Sequence, residues 1–68
     1  MNEIKNIGDW VINIGFSITN PNSIGYITKM HNKIYYVYHP TLKRTILSYD
    51  YECKKLTNME ILLYARNF

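Results

Sequence analysis

The sequence predicts a mostly β domain of five short strands closed off by a short C-terminal helix. Three observations carry this expectation. Short runs of β-branched and aromatic residues recur between turn clusters. Helical periodicity appears only once, after Thr57. The chain has 68 residues, which leaves room for one core and no second domain.

The elements follow in order. Residues 1–7 are polar and irregular and read as a flexible lead-in. Gly8-Asp9 punctuates, and Trp10-Val11-Ile12-Asn13-Ile14 reads as a strand with Trp10, Ile12 and Ile14 on one face. Gly15 ends it. Phe16 to Ser23 is a long loop turned at Asn20-Pro21-Asn22-Ser23, where proline presets φ and asparagine tolerates left-handed geometry. Ile24 to Met30 is the second strand, and Gly25 within it admits a bulge or a close backbone approach. His31-Asn32 reads as a tight hairpin turn with Asn32 at positive φ. The strongest strand signal, Lys33-Ile34-Tyr35-Tyr36-Val37-Tyr38, follows it. His39 to Lys43 is a turn, Arg44 to Tyr49 a fourth strand, Tyr49 to Glu52 a single turn, and Cys53 to Leu56 a fifth strand. Thr57-Asn58-Met59-Glu60 has the form of a capping box. Met59, Leu62 and Leu63 recur at helical spacing, and Arg66 suits the negative end of the helix dipole. The spacing predicts a helix over 58–66, too short to stand alone and so packed on the strands. The chain divides into the lead-in 1–7, a β body 8–56 and a helical end 57–68.

Five short strands, a long first loop, a tight central hairpin and a one-turn interruption before the last strand follow the plan of the SH3-like barrel. Gly8-Asp9-Trp10-Val11, then Ile24-Gly25-Tyr26-Ile27, then Tyr35-Tyr36-Val37 resemble the opening of KOW-type and Tudor-type barrels. They are also similar to the polymerase-interacting barrel of the CarD family. The resemblance implies a five-stranded SH3-like barrel and a nucleic-acid- or transcription-associated role. One residue departs from it. Asn13 follows Val11 at strand spacing, where such barrels place a second apolar residue. Either Trp10, Ile12 and Ile14 form the buried face, or Asn13 ends the strand.

Composition narrows the function. With the single cysteine Cys53, no intrachain disulfide forms, and Cys53, His31 and His39 lack the spacing of a zinc site. Stability must come from packing, and seven tyrosines, two phenylalanines and Trp10 supply the aromatic mass. No stretch is apolar over the ~20 residues a membrane span needs. Met1 to Lys5 shows no apolar secretory core. A cytoplasmic protein without cofactor is expected. Eight Lys and Arg against five Asp and Glu give a net charge of +3, a mild attraction to phosphate. Ile, Asn, Lys and Tyr dominate, as in a low-GC bacterium or its phage.

Lys29, Lys33, Lys43 and Arg44 lie around Tyr26, Tyr36 and Tyr38 in the sequence. Cations that track phosphate and rings that stack on bases are what single-stranded nucleic acid requires. The plainer reading makes the tyrosines core and the lysines solvated edges. Strand alternation places Tyr36 and Tyr38 on one face and Tyr35 and Val37 on the other. His31 and His39 sit in ordinary turn contexts without triad partners. Asp9, Asp50, Glu52 and Glu60 are not arranged as a catalytic pair. Glycines at 8, 15 and 25 form no phosphate loop. Met59, Leu62, Leu63, Tyr64 and Phe68 exceed what one helix seam needs, so they either dock on the strands or serve a homodimer or host-protein interface.

The sequence therefore predicts a non-enzymatic binding module, a nucleic-acid- or transcription-associated accessory protein using Lys29, Lys33, Tyr36, Tyr38, Lys43 and Arg44. The alternative is a phage-encoded protein-binding inhibitor or adaptor acting through aromatic residues and the helix. Cys53 reads as a small buried hydrophobe. A thiol reagent should label it slowly in the native protein and rapidly in denaturant; fast native labelling would reopen a role for the thiol.

Overall fold

The computed structural model describes residues 3–65. Arg66 and Phe68, to which the sequence assigned a dipole contact and an interface role, lie outside the described residues. The strand-forming runs become β1 (Trp10–Asn13), β2 (Ile24–His31), β3 (Ile34–His39), β4 (Arg44–Tyr49) and β5 (Cys53–Lys55). They form one antiparallel sheet in the order β4-β3-β2-β1-β5. A 3₁₀ turn at Pro21–Ser23 leads into β2, with the Asn20 side chain capping the Asn22 N–H. A second 3₁₀ turn, Asp50–Glu52, joins β4 to β5.

Local chemistry explains the turns. Asn32 takes φ 56°, as an asparagine tolerates, but the hairpin turn falls on Asn32-Lys33 because His31 already pairs with Ile34. Gly25 is the close approach. A Cβ there would lie 2.5 Å from the Tyr38 carbonyl oxygen and 2.7 Å from Val37 Cγ1. The bulge lies further on, where the β2–β3 register shifts between Ile27 and Lys29.

The core has two layers, one on each face of the central strands. Val11, Ile27, Tyr35, Val37 and Cys53 are buried together on one face, with Met30 packed against them. On the other face Ile12 and Ile24 meet Leu56 and Ala65, with Trp10, Ile18 and Ile61 alongside. The question raised by Asn13 is thus answered: it ends β1, both Val11 and Ile12 are buried, and Ile14 is exposed.

The SH3-like barrel expected from the KOW-, Tudor- and CarD-type resemblance is not what forms. The sheet stays open, with β4 and β5 as free edges, and no ladder joins them among the described residues. Closure would need their outward N–H groups, and carboxylates hold two of these. Glu52 accepts from Tyr49 N–H at 2.8 Å and Glu3 accepts from Lys55 N–H at 2.8 Å.

The C-terminal element also differs in shape. The capping box forms in full: Glu60 N–H donates to Thr57 Oγ1 at 3.1 Å and Thr57 N–H to Glu60 Oε1 at 2.8 Å. It starts a single α turn, α1 (Asn58–Glu60), which widens into a π turn over Ile61–Ala65. The wider turn carries Ile61 and Ala65 onto the sheet and leaves Met59, Leu62 and Leu63 exposed, reversing the seam the periodicity suggested.

Two substitutions separate backbone from cap. Gly25→Ala should abolish the native state, because the opposing Tyr38 carbonyl is backbone and cannot move aside. Thr57→Ala should cost about 1 kcal/mol, lowering Tm by about 4–8 °C in a domain of this size. Thermal melts followed by circular dichroism check both.

Candidate functional site

The bulge decides what stands on the tyrosine face. Simple alternation from Tyr26 would turn Lys29 to the opposite side. With the register shift, Lys29 pairs with Tyr36 instead, and Met30 turns inward opposite Tyr35. Lys29 Nζ consequently lies 5.3 Å from the Tyr36 ring centroid, a cation–π arrangement. Beside it runs a row of rings across β1, β2 and β3. Trp10 and Tyr26 meet edge to face at 5.0 Å, and Tyr26 and Tyr38 are tilted at 5.6 Å. Tyr36 and Tyr38 are half-buried, whereas Tyr35 and Val37 fill the core on the other face.

The remaining cations do not converge on this spot. Lys33 sits in the β2–β3 turn, where its carbonyl accepts from Asp50 N–H at 2.8 Å. Lys43 and Arg44 lie at the other end of β3, with Arg44 opposite His39. Five strand steps, about 17 Å, separate the two ends. Lys33 lines the cleft on the opposite side of the sheet, and Arg44 shares a face with His39 rather than with Tyr38, so of these four cations Lys29 is the one seen against the aromatic face.

A polar centre with no sequence signal lies on the opposite side. Asp50 Oδ1 accepts from Lys5 Nζ at 3.0 Å and from Tyr35 Oη at 2.7 Å. Lys5 Nζ also approaches Glu3 Oε2 at 3.5 Å, and its side chain is 5% exposed. The Tyr35 and Lys5 hydrogen bonds hold the Asp50 carboxyl below its usual range. Burial, with the Asp50 bond second, pushes the Tyr35 phenol up to about 12. Lys5, Lys33, Asp50, Tyr51, Cys53 and Lys54 are among the residues lining a shallow cleft here. Cys53 is buried as expected, and burial pushes its thiol up against a smaller opposing effect from the Ser48 hydrogen bond.

The histidines diverge. His31 is exposed at its turn, while His39 is buried and its Nδ1 has no hydrogen-bond partner among the described residues. Burial lowers its pKa from the ordinary 6.5, although the Asn22 and Ile24 carbonyls pull the other way. It lines a cavity of about 160 Å³ with Phe16, Leu42 and Ile46. Among the described residues no cluster of His, Cys, Asp and Glu is placed to hold a metal ion, and no helix is long and apolar enough to cross a membrane. No family model, curated protein or solved structure matches the chain.

The shifted groups set the pH response. Below its ordinary pKa of 10.0, Tyr35 is protonated in both states; from there to about 12 only the folded state keeps the proton. Stability should fall through that window. His39 has a lowered folded pKa, so stability should also fall as pH drops below 6.5, where only the unfolded state takes the proton. Urea denaturation across pH checks this. His39→Phe should flatten the profile between about pH 7 and 5, and Tyr35→Phe should reduce the alkaline slope.

Proposed function

We propose that this chain is a non-catalytic binding module whose ligand is single-stranded nucleic acid, held on the β2–β3 face. The observation that carries the reading is Lys29 poised over Tyr36, beside the half-buried rings of Tyr38 and Tyr26. Such a pair offers a phosphate partner and a stacking plane within one nucleotide's reach. Lys33 and Arg44 lie towards the other face, so the attraction on this one rests on Lys29 and on the net positive charge of the chain. A net charge of +3 supports the same sign of ligand. A nucleic-acid- or transcription-associated accessory role in the cytoplasm follows from this reading.

A second reading has its own support. Met59, Leu62 and Leu63 are 63%, 56% and 60% exposed on the C-terminal turn. An apolar display of this kind suits a protein-binding adaptor or inhibitor.

Binding of fluorescent oligonucleotides at low salt, followed by salt titration, separates the two. Nucleic-acid binding predicts measurable affinity that falls steeply with salt. Tyr36→Ala should weaken binding by about 1–3 kcal/mol, and Lys29→Glu should weaken it and flatten the salt slope, both with unchanged circular dichroism. Absence of binding by the wild type at low salt refutes the lead reading and favours the protein partner.

A further inference from the structure

Strand β4 ends the sheet, so its backbone groups alternate between β3 and the outside. Three bonds show which face which way. Asp50 N–H donates to Lys33 O at 2.8 Å, towards β3. Tyr49 N–H turns away, to Glu52 Oε1. The Tyr36 carbonyl accepts from Thr28 Oγ1 on the β2 side, so Leu47, which pairs with Tyr36, also faces outward. Thr45 and Leu47 thus present N–H and C=O to the outside, with no strand against them among the described residues. The usual guards of an edge strand are absent. Arg44 to Tyr49 contains no proline, its register with β3 is unbroken, and it has no charge after Arg44. The Thr45, Leu47 and Tyr49 side chains are exposed.

We infer that this edge pairs with the same edge of a second copy of the chain, antiparallel, across a two-fold axis. Charge selects that occupant and that direction. Lys43 and Arg44 open the strand, and Asp50 and Glu52 follow it. An antiparallel copy lays each basic start beside the other's acidic end, twice; a parallel copy would place like charges together. The register follows from the free groups. Facing residues share a face, so only positions of equal parity pair. With the Tyr49 N–H held by Glu52, Thr45 pairs with Leu47 of the second copy and Leu47 with its Thr45, each pair exchanging both backbone bonds. Ile46 then faces Ile46 on the axis. The contact is self-complementary, as a two-fold interface must be. It does not depend on what the Lys29–Tyr36 face binds.

A short edge contact buries little area, so self-association in the micromolar-to-millimolar range, roughly, is expected. Sedimentation equilibrium should show the apparent mass rising with concentration from 8.1 kDa towards twice that value, and less so at high salt. Leu47→Pro removes an outward N–H without touching a β3 bond, and should raise the Kd about tenfold or more. Leu47→Lys, which guards the edge with a charge, should act alike and serves if the proline variant does not fold; circular dichroism reports folding for both. A wild type that stays monomeric to about 1 mM would overturn the inference. So would folded Leu47 variants that dimerise like the wild type, above all if Leu62→Glu/Leu63→Glu then abolishes the dimer.

Discussion

The Asp50 carboxylate is the interaction on which the arrangement depends. It sits in the turn after β4, yet it holds Lys5 from the N-terminal segment and Tyr35 from β3, and its own N–H reaches Lys33 in the β2–β3 turn. Three separate stretches of chain meet at one residue. Withdrawing the Lys5 ammonium from water costs on the order of several kcal/mol, which only close, hydrogen-bonded partners offset. The Asp50 carboxylate and carbonyl and the Glu3 carboxylate supply them. Removing the Asp50 carboxylate would leave the buried Tyr35 phenol without this acceptor and the buried Lys5 ammonium with only its longer contacts to Glu3 and the backbone.

That anchor lets a small sheet be covered on both sides. The Asp50–Glu52 turn sends β5 across to β1, which brings Cys53 into the first core layer with Tyr35 and Val37. Leu56 and the π turn then cover Ile12 and Ile24 on the second face. Cover on that second face stops part-way, and beyond it Tyr26, Tyr36 and Tyr38 are only half-buried. The candidate binding face is thus the part of the sheet that the described residues leave partly uncovered.

Carboxylates govern the two edges of the sheet. Glu3 holds the outward N–H of Lys55 on β5, and Glu52 holds that of Tyr49 on β4. Each charge-assisted bond satisfies a donor that a neighbouring strand would otherwise take. On β4 the protection stops at Tyr49, and the Thr45 and Leu47 groups are left outward.

What the sequence by itself determined was local. β-Branched and aromatic runs placed all five strands, Asn32 its left-handed turn, Gly25 its close approach, and Thr57 and Glu60 the capping box. Alternation also set Tyr35 and Val37 on one face and Tyr36 and Tyr38 on the other, and packing then made the first pair the core side. These features arise from neighbouring residues, so the order of the chain contains them. Tertiary structure decided the rest. The bulge near Thr28 moved Lys29 onto the tyrosine face, because register is set by the partner strand. Packing chose Ile61 and Ala65 over Met59, Leu62 and Leu63 as the docked residues, through a π turn that regular helical spacing does not anticipate. Lys5 and Asp50 met across 45 positions, and the sheet remained open where strand order alone suggested a barrel. Closure and long-range pairing depend on where whole strands travel, and short motifs carry no record of that path.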